Sequence, residues 1–336
     1  MKERSATGKV PPWILERCIF PYLGARRSEV IVRAGLGEDA AVFDPDGLLV
    51  AVSTDPITAA GKRMGWYAAH VALNDVAAGG ARPLGLLATI ILPPGHAPAS
   101  LAELQRDLAE AAAGTGVEVL GGHTEFSDAV TRPIIVATGI GLIPRGARRG
   151  SAGGKPGDGL VLTKTAGLEG TAILASDYPD RLAGILSLAA METARAMLAQ
   201  ISVVPEALLA ADNGATAMHD VTEGGVVGAA WEMARASRTG FRLDRDRVPV
   251  APVTATLAAA LHFDPTRLIA SGSLLIATPE PDGMVRVLAG AGIDASVIGA
   301  LTPSGYRITG GDADYELPPD FSPDDELFRL VAGWHG

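Results

Sequence analysis

Residues 35–55 read GLGEDAAVFDPDGLLVAVSTD, with Glu38 and Asp39 at the start of one apolar run and Asp55 at the end of the next. Carboxylates resist burial unless they are paired or hold a cation. Asp39 at a strand start and Asp55 before Pro56 also suit ordinary turns. Spacing alone leaves two readings open: turn residues, or oxygen ligands converging on a hard cation such as Mg²⁺. Asn74-Asp75, inside GWYAAHVALNDVAAG, favour the second. Both are poor helix-interior residues and costly to bury unpaired. They point to a cavity holding a metal or ligand, with a satisfied core network as the alternative. Asp44 and Asp46, in DPDG, are expected to form the hairpin turn, and Glu38 to face elsewhere.

Two glycine-containing segments add candidates. GGHTE (121–125) follows a short apolar stretch. Paired glycines allow close backbone approach, which suits a phosphate cradle and also a plain turn. His123 reads as a surface turn residue, a donor to phosphate or a metal ligand. HDVTEGG (219–225) places His219 and Asp220 at a strand end and Gly224-Gly225 at a helix start. Free N–H groups there attract anions, and a cap by Thr222 or Asp220 is compatible with that. Lys9, in GKVPP, is either solvated or a phosphate contact. Cys18, in LERCIF, is expected as a buried core thiol.

The elements that must position these residues alternate. A hairpin spans 40–54, a helix 65–79, a strand 84–92 and a helix 98–114, with strands at 117–122 and 132–143. This mixed α+β order fits a sheet with helices on one face. Residues 144–159, rich in Gly and Arg, mark a boundary between domains 1–150 and 151–336. The second half reads as α/β: strand GLVLTKT, helices to about 200, strand ATAMHDV, helix GGVVGAAWEMARAS, strand LIASGSLLIATP, helix 281–291, strand ASVIGAL and a polar tail.

The chain has 336 residues, enough for two domains each with its own core, and 48% hydrophobic residues argue against disorder. It contains no apolar run of the roughly 18–20 residues that span a membrane, and its first residues lack a signal-peptide core. The single cysteine excludes an intrachain disulfide and a cysteine-rich zinc site. A cytoplasmic protein is expected. A net charge of −10 disfavours a nucleic-acid binder. It does not disfavour a nucleotide enzyme, because Mg²⁺ bridges carboxylates to phosphates.

Taken in order, GEDAAV, STD, NDVAAGGARP, GGHTE and HDVTEGGV resemble the aminoimidazole ribonucleotide (AIR) synthetase, or PurM-like, superfamily, and most closely its HypE-like hydrogenase-maturation branch. The resemblance implies a ferredoxin-like N-terminal half-barrel that dimerises, followed by an α/β domain. It implies ATP and Mg²⁺ as cofactors, bound in a cleft near the dimer interface. Asp39, Asp55 and Asp75 look like metal ligands, with Asn74 supporting. Gly121, Gly122 and Thr124 look like a phosphate loop. Lys9, His219, Asp220, Gly224 and Gly225 complete the implied cofactor-binding set. Asp75 and His123 are the catalytic candidates. His123 stands where several members carry an acid, and Glu125 is the residue that could compensate.

The implied chemistry is ATP-dependent phosphorylation or dehydration of a small or protein-bound substrate. The alternatives are a non-catalytic maturation scaffold, or a purine, thiamine or selenophosphate pathway enzyme. The chain as given ends LVAGWHG, so thiocyanate formation on a tail cysteine is not expected, and Lys9 has no neighbouring thiol. A homodimer is expected because half-barrel edges are hard to leave open. A maturation partner is also expected, but neither nucleic acid nor membrane.

Overall fold

A computed structural model describes residues 12–18, 20–23, 28–33, 35–44, 47–58, 60–144, 150–311 and 313–334. Helix α1 (Pro12–Cys18) precedes strands β1 (Val30–Val32), β2 (Ala41–Phe43) and β3 (Leu49–Ile57). Helix α2 (Met64–Ala78), β4 (Arg82–Leu92), α3 (Pro98–Thr115), β5 (Glu118–Phe126) and β6 (Ile134–Ile143) complete the first half. The strands form one mixed sheet in the order β1-β2-β3-β6-β4-β5. Only β4 and β5 pair in parallel; the other neighbours are antiparallel.

Burial along β6 alternates strictly between half-buried and buried residues, the period-2 pattern of a strand with one covered face. Helix α2 supplies the cover. A Cβ at Gly139 would lie 2.5 Å from Ala72 O, and one at Gly141 2.4 Å from Val76 Cγ1. Only glycine lets the helix sit this close. The other side of α2 packs on the second half of the chain, against α6 (Val204–Asp212) and β8 (Ala217–Asp220). A helix enclosed on both sides is apolar all round, which makes Asn74 and Asp75 exceptional within it.

In the second half, β7 (Gly159–Thr163) leads into α4 (Leu168–Asp177) and α5 (Leu188–Ala196), ahead of α6 and β8. Then follow α7 (Gly225–Ser237), β9 (Gly240–Asp244), α8 (Pro252–Leu261), β10 (Leu274–Thr278), α9 (Pro281–Gly290) and β11 (Ala295–Thr302). The chain continues through β12 (Tyr306–Gly310), β13 (Ala313–Glu316) and α10 (Glu326–Ala332). The seven strands run β13-β12-β9-β11-β7-β10-β8, antiparallel except for β9 and β12.

Four expectations change. GGHTE does not follow a strand but lies within β5. The polar tail contains two strands and a helix. The largest hydrophobic cluster joins residues of both halves, from Ala68 and Leu108 to Leu168 and Met218, so the cores are not separate. Cys18 is exposed, because α1 buries none of its residues. No single helix among the described residues is long and apolar enough to cross a membrane.

Candidate functional site

Asp39, Asp55, Asp75 and Asp220 line one cavity of about 630 Å³. They come from four places: the loop before β2, the end of β3, the interior of α2 and the end of β8. Ser53 Oγ donates to Asp75 Oδ2 at 2.5 Å and to Asp55 Oδ2 at 3.4 Å, tying β3 to α2. Burial pushes the Asp75 pKa well above the usual carboxylate value, and the negative charges of Asp220, Asp55 and Asp39 push it further. Like charges this close repel unless a cation sits among them. Carboxylates are the oxygen donors that a hard cation such as Mg²⁺ takes, so these residue types suit that ion; the group whose ligand atoms lie within 4.8 Å of one another is Asp39, Asp220 and His219. Glu38, expected to face elsewhere, also lines this cavity. Asp44 does make the turn, accepting from the Gly47 N–H. Asp46 and Lys9 lie outside the described residues.

His219 is 3% exposed and does not line the cavity. Its Nδ1 pairs with Asp39 and its Nε2 with Glu232 of α7 at 2.9 Å. Burial pulls the imidazole pKa down, but the two carboxylates outweigh it and raise it to about 10. Although Asp39, His219 and Asp220 lie within metal-binding distance of one another, an imidazolium has no lone pair to give a metal. Expected as a cofactor contact, His219 lies behind the cavity wall in this structure and holds Asp39. Ser151 adds a hydroxyl bond to Asp39 Oδ2 at 3.2 Å.

Asn74, expected in a supporting role, is likewise engaged elsewhere in this structure. Its Nδ2 donates to Ile201 O and its Oδ1 accepts from Val203 N, both at 2.8 Å. Its amide is spent on backbone, and it does not line the cavity. The alternate carbonyls of the same segment, Gln200 O and Ser202 O, accept from Lys164 Nζ at 3.0 and 2.7 Å. Segment 200–203 is thus held from one side by α2 and from the other by the residue after β7. That clamp fixes Asp75, the next residue of α2, in the cavity.

The glycine pairs serve packing. A Cβ on Gly122 would lie 1.8 Å from Ala88 O, and the β4–β5 register slips at Leu86/Leu87, so Gly121 and Gly122 accommodate an irregular parallel pairing. Gly121, Gly122, His123, Thr124 and Glu125 are all exposed on an edge strand, and none lines the acid cavity. His123 Nε2 instead lies 3.3 Å from Glu125 Oε2. Within one chain these residues do not meet the aspartates. At the other predicted anion site, Gly224 N–H donates to Asp325 Oδ2 at 2.6 Å, and a Cβ there would lie 2.5 Å from Pro323. The chain's own tail caps α7, and a Cβ on Gly225 would lie 2.6 Å from Thr266 O. Neither glycine is left for a phosphate.

Sequence reasoning missed Glu169 and Ser271, which line the same cavity. The available signal was an acid in the first helical turn after the apolar strand of GLVLTKTAGLEG. It also missed Glu232, which looks like an ordinary polar position of an amphipathic helix.

Two mixed sheets enclosing a buried helix, with a carboxylate-lined cavity drawing on both halves, define a two-domain PurM-like fold. Residues 37–143 match the N-terminal domain, and residues 155–310 the C-terminal domain, of AIR synthase related protein; the chain belongs to that family. The carbamoyl dehydratase HypE of Cupriavidus necator is 30% identical over 284 residues, which is 80% of this chain and 78% of that protein. Among solved structures, a HypE–HypF complex matches with a TM-score of 0.74 at 20% identity, covering 91% of this chain and 99% of that one. HypE in complex with ATP matches at 0.66 and 24% identity, covering 83% and 87%.

Proposed function

We propose that this chain is a HypE-like, Mg²⁺-dependent ATP-using enzyme that phosphorylates, and so activates, an oxygen of a small or protein-bound substrate. One observation carries the reading: four aspartates from separate elements converge on one cavity in a chain of this family. Asp39, Asp55, Asp75 and Asp220 would hold the metal. When bound, it offsets the charge of the ATP phosphates. The likeness to HypE with ATP supports nucleotide binding, and the likeness to the HypE–HypF complex supports a protein partner. The division of the chain near residue 150 into two domains belongs to the same reading. The test is a crystal structure with Mg²⁺ and a non-hydrolysable ATP analogue. The γ-phosphate is expected beside the four aspartates; density for the analogue anywhere else overturns the assignment.

The same proposal includes a homodimer. Strand β5 is a sheet edge whose backbone can pair with a second copy, and Leu84, Leu120 and Phe126 on β4 and β5 are 53%, 49% and 59% exposed. Light scattering at micromolar concentration should give twice the 34.4 kDa chain mass. A Phe126→Asp variant should shift toward the single mass, and a monomeric wild-type protein contradicts the dimer.

A further inference from the structure

Glu169 opens α4, on a different element from the aspartates, yet lines the same cavity. It is 5% exposed, and its Oε2 has no hydrogen-bond partner. A buried oxygen without a partner is costly, and in a native structure it marks a group held ready for something else. Ser271, also on the cavity wall, donates to the carboxyl from its side chain and its backbone. Burial raises the Glu169 pKa to about 7; the Ser271 bonds pull it down, and the negative charges of Asp325 and Glu223 push it up. The remaining titratable group facing it is Tyr67 of α2, whose phenol burial holds well above its ordinary value and therefore neutral. The largest charges acting on Glu169 are those of Asp325 and Glu223 rather than of the four aspartates. Glu169 therefore stands apart from the metal-binding acids, near the protonation balance that a general base needs.

We propose that Glu169 is the general base of this cavity, taking the proton from the oxygen that attacks the γ-phosphorus of ATP. The inference rests on the nucleotide reading above. With water as the acceptor, a new bond forms between the water oxygen and the γ-phosphorus. The bond from that phosphorus to the β–γ bridging oxygen breaks, and ADP leaves with the electron pair. The water proton passes to the Glu169 carboxyl and then to solvent, leaving inorganic phosphate. A substrate hydroxyl in place of water would give the phosphorylated substrate.

The test uses the full chain, Mg²⁺ and ATP. Wild-type kcat for ATP hydrolysis should rise with pH and level off with a midpoint near 7, where Glu169 titrates. Glu169→Gln should lose about 10²–10⁴-fold in kcat, lose the acid limb and keep the calorimetric Kd for MgATP. Ser271→Ala should move the limb to higher pH, because the lost hydroxyl bond favoured the ionised carboxyl while the backbone bond remains. A readout free of turnover is a ¹³C NMR titration of the glutamate carboxyls: one titrates near neutrality in the wild type and is missing in Glu169→Gln. Retention of rate or limb in Glu169→Gln overturns the inference. So does a wild type that binds MgATP but hydrolyses it no faster than Asp75→Asn. A wild type that does not bind MgATP overturns the nucleotide reading itself, so the two failures are distinct.

Discussion

Replacing Lys164 with Met should lower the stability of the chain by about 3–5 kcal/mol, the range for removing one partner of a buried ion pair. Lys164 Nζ lies 2.6 Å from Glu206 Oε1, with side-chain exposures of 15% and 2%. It also donates to Gln200 O, Ser202 O and Gly272 O at 3.0, 2.7 and 2.7 Å. Methionine can fill the space of the stem but satisfies none of these four acceptors, and it strands the Glu206 carboxylate. Lys164 itself sits at φ 54°, a backbone conformation that a β-carbon disfavours. Urea unfolding at constant m should show a lower midpoint, and a loss below about 1 kcal/mol, the scale of a surface pair, would show that the pair is solvated. Because Lys164 and Asn74 grip alternate residues of segment 200–203, loosening one side should also weaken ligand binding at Asp75.

Asp75→Asn should have opposite effects on stability and binding. In the metal-free protein it should raise the thermal midpoint, because a carboxylate enclosed by Asp220, Asp55 and Asp39 is held against burial and repulsion. Asparagine keeps an acceptor for Ser53 and carries no charge. The sign of the pH dependence follows. The folded pKa of Asp75 is raised, so its contribution to stability is fully present below the ordinary value of 3.8 and is lost as pH rises through the folded value. The advantage of Asp75→Asn should therefore be absent in acid and grow as pH increases. MgATP affinity should fall on the order of 10–100-fold, matching the loss of one charge-assisted contact of about 1.5–3 kcal/mol. Differential scanning calorimetry with and without Mg²⁺ separates the two effects. A destabilised metal-free variant would mean that the acids are already neutralised within the fold.

Much of the site was legible because apolar context makes a carboxylate conspicuous. Asp39 and Asp55 flank apolar strands, and Asp75 interrupts an Ala-rich helix, so their cost of burial is visible in one dimension. Asn74 carries the same signal for a different reason: its partners, Ile201 and Val203, lie far along the chain, and no local pattern separates a clamp from a ligand. His219 likewise depends on Glu232, which sits on a helix face that looks solvated. The glycine pairs are ambiguous in sequence because close approach to Ala88 or Pro323 demands the same residue as a phosphate cradle does. Alternation of helix and strand placed most elements, while β12 was missed because its pairing with β9 is long-range, and β13 because it pairs only with β12; α10 was missed although its Asp325 cap is a local signal.

The most direct measurement is isothermal titration of MgATP into the wild-type chain and Asp55→Asn at neutral pH, repeated with EDTA. Asp55 is half-buried at the end of β3, so removing its charge leaves the core intact. Saturable binding is expected in the wild type, abolished by EDTA and by the substitution. Undiminished binding by Asp55→Asn, or binding indifferent to Mg²⁺, would contradict the assignment of the aspartate cavity as the metal–nucleotide site.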